Sequence, residues 1–473
     1  MKSTAAVPEP ESFRDRLGIV TQEGKRKRIY PKAPQGRFHL ARFVVSWILL
    51  AILFGVPFLR VNGHPFMLFD ITDRKFIIAG LIFGPHDFVL LALTMIAVIV
   101  FVFLFTVVFG RLFCGWICPQ TVFLEMVFRK IDYWLEGSPA EQSRLNASPW
   151  NGRKVRIKTL KHGLYFVLSF AISNMLLAWI IGTDKLLKIV SEPPSQHLGG
   201  LTAILVFTAV FHWIFAWFRE QACILVCPYG RLQGVLLDRN SIVIAYDFKR
   251  GEPRGKYKKN EKRIKGDCID CHQCVDVCPT GIDIRNGTQL ECVNCTACID
   301  ECDVIMDAIG KPRGLIRYDS FGGIESGVRR LLTSRSIGYS IVLVALVSFL
   351  GFKIATRADV DVTILRTPGM LYQEQPDDYV SNLYDLKAIN KTFDRFPVSF
   401  RLKNADGKIT ILGDSLVLAA QEATSAKMFV MLKRTEIKAM NMPLQIEVYR
   451  GPKLLATAET SFLGPVKMKE EKK

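Results

Sequence analysis

Five apolar runs constrain this chain before anything else does. They cover residues 43–59, 88–109, 164–181, 201–218 and 337–352. A helix needs roughly 20 predominantly apolar residues to cross a bilayer core, and each run meets or nearly meets that length. One such run can be the buried helix of a soluble core. Five of them, flanked by Arg and Lys in a chain that is 49% hydrophobic, are read as membrane spans. A sixth run, 76–83, is too short to cross and is expected to be an interfacial or re-entrant piece.

The formal net charge of +18 is segregated by loop. Residues 1–42 carry ten Lys and Arg, 111–163 carry nine and 219–336 carry nineteen, whereas the loops 60–87 and 183–200 carry three and two. The excess of cations on cytoplasmic loops orients the spans: N-terminus inside, five crossings, C-terminus outside. A basic balance can also mark nucleic-acid binding, but its division by loop points to topology instead, and no nucleic-acid partner is expected. The first 40 residues are polar, so no signal peptide is expected. The chain then divides into a loosely ordered basic tail (1–40), a four-span membrane domain (41–218), a cytoplasmic insert (219–336), a fifth span (337–355) and an exported domain (356–473).

All twelve cysteines lie between 114 and 302, on the side read as reducing. Structural disulfides belong to oxidising compartments, so this placement points to metal or redox chemistry. "CIDCHQCVDVCPTGI" sets Cys268, Cys271, Cys274 and Cys278 at C-x-x-C-x-x-C-x-x-x-C-P spacing, and "CVNCTACIDEC" repeats it with Cys292, Cys295, Cys298 and Cys302. Three close thiolates grip three corners of a cubane, and the fourth ligand comes from the other half. One 4Fe-4S cluster is therefore assigned to Cys268, Cys271, Cys274 and Cys302, the other to Cys292, Cys295, Cys298 and Cys278, in a ferredoxin-type domain at about 258–310. Asp303 stands where the second half would carry proline. Zinc sites come as spaced C-x-x-C pairs, which fits less well. Cys268, Cys271 and His272 also spell the C-x-x-C-H haem string, but the loop is read as cytoplasmic and both thiols are needed by the cluster.

Two further pairs, "RLFCGWICPQ" and "QACILVCPYG", close the second and fourth runs: Cys114 with Cys118, and Cys223 with Cys227, each followed by proline. An i, i+4 spacing puts both thiols on one helix face. Proline favours the first turn of a new helix, so Cys118 and Cys227 are expected at N-caps, where the helix dipole would lower a thiol pKa. Soft thiolates select Cu(I), zinc or iron–sulfur centres. The four thiols are taken as a converging metal and catalytic site, with copper the expected ion. The stretch "QTVFLEMVFRKIDYWLEG" reads as an amphipathic helix along the membrane surface. His212, inside the fourth run, is either a ligand or a histidine satisfied by a neighbouring helix.

The tail reads differently. "KITILG", "KMFVMLKR" and "LQIEVYRG" are short β-rich strings between Gly, Asn, Asp and Pro turns, with Asp406-Gly407 a turn signal. A small antiparallel β-sandwich with a docking or structural role is expected.

"RLFCGWICPQTVFLEMVFRKIDYWLEG", "CPYGRLQGVLLD", the double ferredoxin run and the β-rich tail, in that order, resemble the cytochrome c oxidase accessory protein family (CcoG, FixG or RdxA). The resemblance implies a bacterial inner-membrane protein with an immunoglobulin-like tail. It also implies a role in assembling cbb-type cytochrome oxidase by reducing Cu(II) to Cu(I), with oxidase assembly factors or a copper chaperone as partners and an unidentified electron donor. The residues alone reach a membrane-anchored double-cluster electron carrier with a second thiol site. Two other functions stay open: a quinol-linked electron conduit of a respiratory reductase, marked by quinol oxidation, and a non-enzymatic redox-sensing scaffold, marked by oxidase binding without either activity.

Overall fold

The computed structural model describes residues 25–465 except 27, 62, 72–74, 79, 85–86, 257–265 and 414–415. Among the described residues, five helices are long and apolar enough to cross a membrane: Arg37–Phe58, Phe88–Phe109, Gly152–Ile181, Pro194–Phe218 and Ser334–Ala355. The third begins twelve residues ahead of its apolar run. Asn151 caps it by accepting from the Lys154 backbone N–H at 2.8 Å, and Lys158 and Lys161 in its first turns bind Glu136 at 2.6 and 3.1 Å. Hydropathy marks the greasy part of a helix, not its ends. The chain forms two compact units, residues 1–70 with 93–347 and residues 71–92 with 348–473.

In the first unit, two elements depart from the sequence reading. Residues 1–24 of the expected loose tail lie outside the described residues, but 28–40 are docked. The Lys32 backbone N–H donates to the Asp276 carbonyl at 2.8 Å, the Lys32 ammonium pairs with Glu301, and Arg37 pairs with Asp303 at 3.1 Å. Asp300 accepts from the backbone N–H groups of Phe38 and His39 at 3.1 and 2.7 Å, so a carboxylate 262 residues away caps the first span. The stretch after Pro119 is helical through Glu136, with a π-helical section at Val122–Phe128. It does not simply lie on a surface. Phe123 meets Phe211 and Phe215, and Phe128 stacks on Phe215 at 4.6 Å and meets Tyr165 at 4.7 Å. Its polar face is buried as well: Asp132 binds Lys161 at 2.6 Å and Arg219 at 2.7 Å. Partners from neighbouring helices allow charges that would otherwise face water to be buried.

The second unit contains the sandwich. One sheet runs Gly407–Ile411, Ala423–Lys433, Tyr379–Asn390, Val360–Arg366, with Gln373–Gln375 also on Tyr379–Asn390; the other runs Ser399–Leu402, Asn441–Arg450, Lys453–Leu463. Alternate residues such as Leu444, Ile446 and Val448 fill the core with Met428, Val430, Leu432 and Phe462. The Asp406-Gly407 turn carries the chain from one sheet to the other, since the strands on either side of it pair with different partners. The short run 76–83 is a β-hairpin, not a re-entrant piece: Lys75–Ile78 pairs with Leu81–Phe83 around Gly80, whose φ is +80. Its β-branched Ile77 and Ile82 sit opposite each other and are buried. Just beyond it, buried Asp87 binds Arg357 at 2.6 Å and Lys391 at 3.0 Å.

Candidate electron-transfer site

The two cysteine runs fold as a pseudo-symmetric pair. Strands Val243–Tyr246 and Ile316–Asp319 pair antiparallel around them. Within the runs, Asp270 and His272, and Asn294 and Thr296, all take positive φ, between 54 and 65 degrees. Asp, Asn and His tolerate that conformation; β-branched Thr does not do so readily, so Thr296 marks a strained loop. The turns aim the thiols inward. Cys268, Cys271, Cys274 and Cys302 line one cavity, while Cys278, Cys292, Cys295 and Cys298 line a second that Cys274 also borders. The fourth thiol of each set comes from the other run, as the cross-tied assignment requires. Four thiols of one such set suit a 4Fe-4S cubane in donor type and number.

The missing proline has a structural reason. Pro279 follows a short helix, Gln273–Asp276, whereas the helix after Thr296 continues through Cys302 to Ala308. Asp303 holds it in place by accepting from Arg37 at 3.1 Å and from the Gly314 N–H at 2.9 Å. His272 bonds Arg285 at 3.0 Å and lies 3.3 Å from Asp270. Burial pushes the Cys274, Cys292 and Cys302 thiols up to about 12 and Cys295 up to about 11. Such thiols keep their protons until a metal displaces them.

The two C-x-x-x-C-P motifs share one local geometry. Cys118 and Cys227 are the N-caps of helices that begin at Pro119 and Pro228. Both are extended, with ψ of 124 and 111 degrees, as a residue before proline should be. Each donates its N–H five residues back, to Phe113 and Ala222, at 2.9 Å. Besides burial, which acts most strongly, Cys118, Cys114 and Cys227 lie close enough to Cys223 to oppose its ionisation, and Cys118 and Cys227 oppose that of Cys114. The expected lowering of the cap thiol is overturned at Cys118: burial pushes it up, outweighing the backbone N–H groups of Gln120 and Thr121. Burial likewise pushes Cys114 up to about 11 and Cys223 up to about 12. Among the described residues, no group of three or more His, Cys, Asp or Glu side chains is set around a single ion.

The first motif is bolted to the second cluster loop, and spacing gave no hint of it. Buried Arg111 donates through Nε to Gln233 at 2.9 Å, through one terminal nitrogen to Gly230 O at 2.8 Å, and through the other to the carbonyls of Leu290 and Cys292. Cys114 donates to the same Gln233 oxygen at 3.2 Å. Arg42 joins Gly115 O at 2.9 Å to Cys295 O at 2.8 Å. Trp116 donates to Tyr318 at 2.9 Å, and Tyr318 donates to Asn294 O at 3.3 Å. Buried arginine and glutamine near thiols were the only signal available for these partners. His212 reaches a neighbouring span through one nitrogen: its Nε2 lies 3.2 Å from Nδ1 of His162, a partner the sequence did not single out, while its Nδ1 is buried without a hydrogen-bond partner among the described residues.

Comparison with known proteins fits this geometry. Residues 218–321 match the family described as a 4Fe-4S dicluster domain, residues 91–137 a 4Fe-4S binding domain, and residues 350–465 the IG-like fold at the C-terminal of FixG. Together they describe a membrane-anchored iron–sulfur protein with an immunoglobulin-like tail. Protein RdxB of Cereibacter sphaeroides is 36% identical over 386 residues, 78% of this chain and 80% of that protein. Protein RdxA of the same organism is 33% identical over 379 residues, 77% of this chain and 80% of that one. Nitrogen fixation protein FixG of Rhizobium meliloti is 35% identical over 305 residues, 62% of this chain and 57% of that protein. The chain belongs to the FixG/RdxA family of membrane iron–sulfur electron-transfer proteins.

Proposed function

We propose that the protein reduces Cu(II) to Cu(I) at Cys114, Cys118, Cys223 and Cys227, for delivery to the copper site of a cbb-type oxidase. The observation that carries this reading is the hydrogen-bonded path from Cys114 through Gln233 and Arg111 to the Cys292 carbonyl. Cu(II) arrives as substrate, and thiolates favour the softer Cu(I) product. The thiols alone would be spent as disulfides after one round. Clusters held by the eight ferredoxin-type cysteines supply single electrons, which makes turnover sustainable. The chain's own residues gather the thiols, bury Cys114, half-bury the other three, and hold Cys114 toward the cluster loop. In this reading the protein resides in a bacterial inner membrane, with its N-terminus and cluster domain cytoplasmic and its sandwich periplasmic. Oxidase assembly factors or a copper chaperone take the product.

A second reading has one observation in its favour. The match of 91–137 to a 4Fe-4S binding domain includes Cys114 and Cys118, so the four thiols could hold a third iron–sulfur centre. The experiment is Cu(II) reduction by the reduced, purified protein, with Cu(I) trapped by a chelator, and iron counted in parallel. Replacing Cys118 and Cys227 by Ser is expected to leave about eight iron per chain and to abolish steady-state reduction. A count of about twelve iron in the parent protein, falling to about eight in the variant, favours the third centre. An unchanged copper rate in the variant rejects the thiols as the copper site.

A further inference from the structure

We propose that Arg111, held by Gln233, is a positioning residue that links the membrane-edge thiols to the centre at Cys278, Cys292, Cys295 and Cys298 and raises the reduction potential of that centre. The proposal rests on the reading of the four thiols as the place of copper reduction.

Three observations carry it. First, Arg111 is 4% exposed and spans both sites: its guanidinium reaches the Leu290 and Cys292 carbonyls on one side, and Gln233, which Cys114 shares, on the other. Electron transfer falls steeply across gaps and favours bonded and hydrogen-bonded steps. Cys292, Arg111, Gln233 and Cys114 form such a path. Second, the charge balance differs between the two cluster loops. The hydrogen bonds of Arg111 and Arg42 go to carbonyls and an amide. Arg285, beside the other cavity, is instead paired with Asp283 at 2.7 Å and Asp270 at 2.6 Å. An uncancelled buried cation stabilises the reduced, more negative state of a neighbouring cluster. Third, Gln233 is fully buried, and its Nε2 has no hydrogen-bond partner among the described residues. A buried amide donor beside thiols can serve a sulfur that has lost its proton.

The redox step is simple: one electron leaves the reduced centre, and one Cu(II) at the thiols becomes Cu(I). No bond to hydrogen is made or broken.

The test uses the full-length protein in detergent, with Arg111→Gln, Arg111→Lys and Gln233→Leu. Iron content and an EPR-monitored redox titration without copper come first, and the relevant signal is assigned by its change in Cys278→Ser. Arg111→Gln is expected to shift the reduction equilibrium of that centre at least tenfold toward the oxidised form, which is 59 mV for a one-electron couple, and to leave the other centre unchanged. Arg111→Lys, which restores the charge, should recover the potential. Gln233→Leu should leave both potentials in place yet slow reoxidation by Cu(II) at least tenfold, read by stopped-flow absorbance. Full iron with an unchanged potential in Arg111→Gln overturns the proposal, as does an equal shift of both centres. If Arg111→Gln loses iron, Gln233→Leu decides, and a parental reoxidation rate there overturns it. Failure of the parent protein to be reoxidised by Cu(II) would reject copper reduction, while the copper-free titration would still judge Arg111.

Discussion

Asp132 is 1% exposed and sits among Lys161, Arg219 and Tyr165, whose hydroxyl donates to it at 2.7 Å. Burial on its own would push this carboxyl up. Arg219 and Lys161 overcome that and hold it well below the ordinary carboxylate range. Removing the negative charge leaves two buried cations short of their nearest carboxylate, with Glu136 at 3.1 Å from Lys161 and Glu220 at 3.8 Å from Arg219. Asp132→Asn is therefore expected to cost about 3–5 kcal/mol, seen as a lower unfolding midpoint in detergent. The sign of the pH effect follows from the depressed value. The contribution is complete above the unfolded carboxylate pKa of about 3.9, is lost as the pH falls through the lower folded value, and should be missing from the acid limb of the Asn variant. At this scale the sequence was legible in part. Eight cysteines could be assigned because a cubane dictates their spacing. Arg42, Arg111, Gln233 and His162 could not, because each works through a partner 50 to 253 residues away. No local pattern records a bond of that kind.

Among elements, the short helix Leu112–Trp116 and the cluster loop approach so closely that Gly115 has no room for a side chain. A Cβ there would stand 2.5 Å from Asn294 O and 2.6 Å from Val293 O, both backbone atoms. Gly115→Ala should force the helix and the loop apart. The expected result is loss of the centre at Cys292, Cys295 and Cys298, with the partner centre retained, measured as iron falling from about eight toward about four per chain. Cys278→Ser tests the cross-tie: it should disturb that same centre and spare the one beside Cys268, as followed by EPR. The spans were legible in the sequence because a bilayer demands length and apolarity together. Their polar extensions, and the docked stretch 28–40, were not, because capping by Asn151 and Asp300 depends on local geometry and on tertiary contact rather than on hydropathy. The run 76–83 was misread for a related reason: eight apolar residues fit a strand pair as well as a membrane-inserted piece, and Gly80 at the turn decides between them.

For the whole molecule, the proposed orientation makes a plain prediction. A reporter active only in the periplasm should give signal when fused after residue 360 and none when fused near residue 260; the reverse pattern would overturn the assignment. The strand patterning of the sandwich could be read in advance from period-two burial, but the pairing of its strands could not, because the Asp406-Gly407 turn looks the same in a hairpin and in a crossover.

The ion trio at Asp87 has a consequence for how the chain is made. Arg357 and Lys391 lie 270 and 304 residues beyond Asp87, so the ribosome delivers the carboxylate long before either cation exists. The trio can close only after the fifth apolar run has emerged and the sandwich has begun to fold. Its closure therefore requires that the chain has been made at least through Lys391. A chain that stops before residue 357 lacks both cations, so its Asp87 can form neither of these ion pairs.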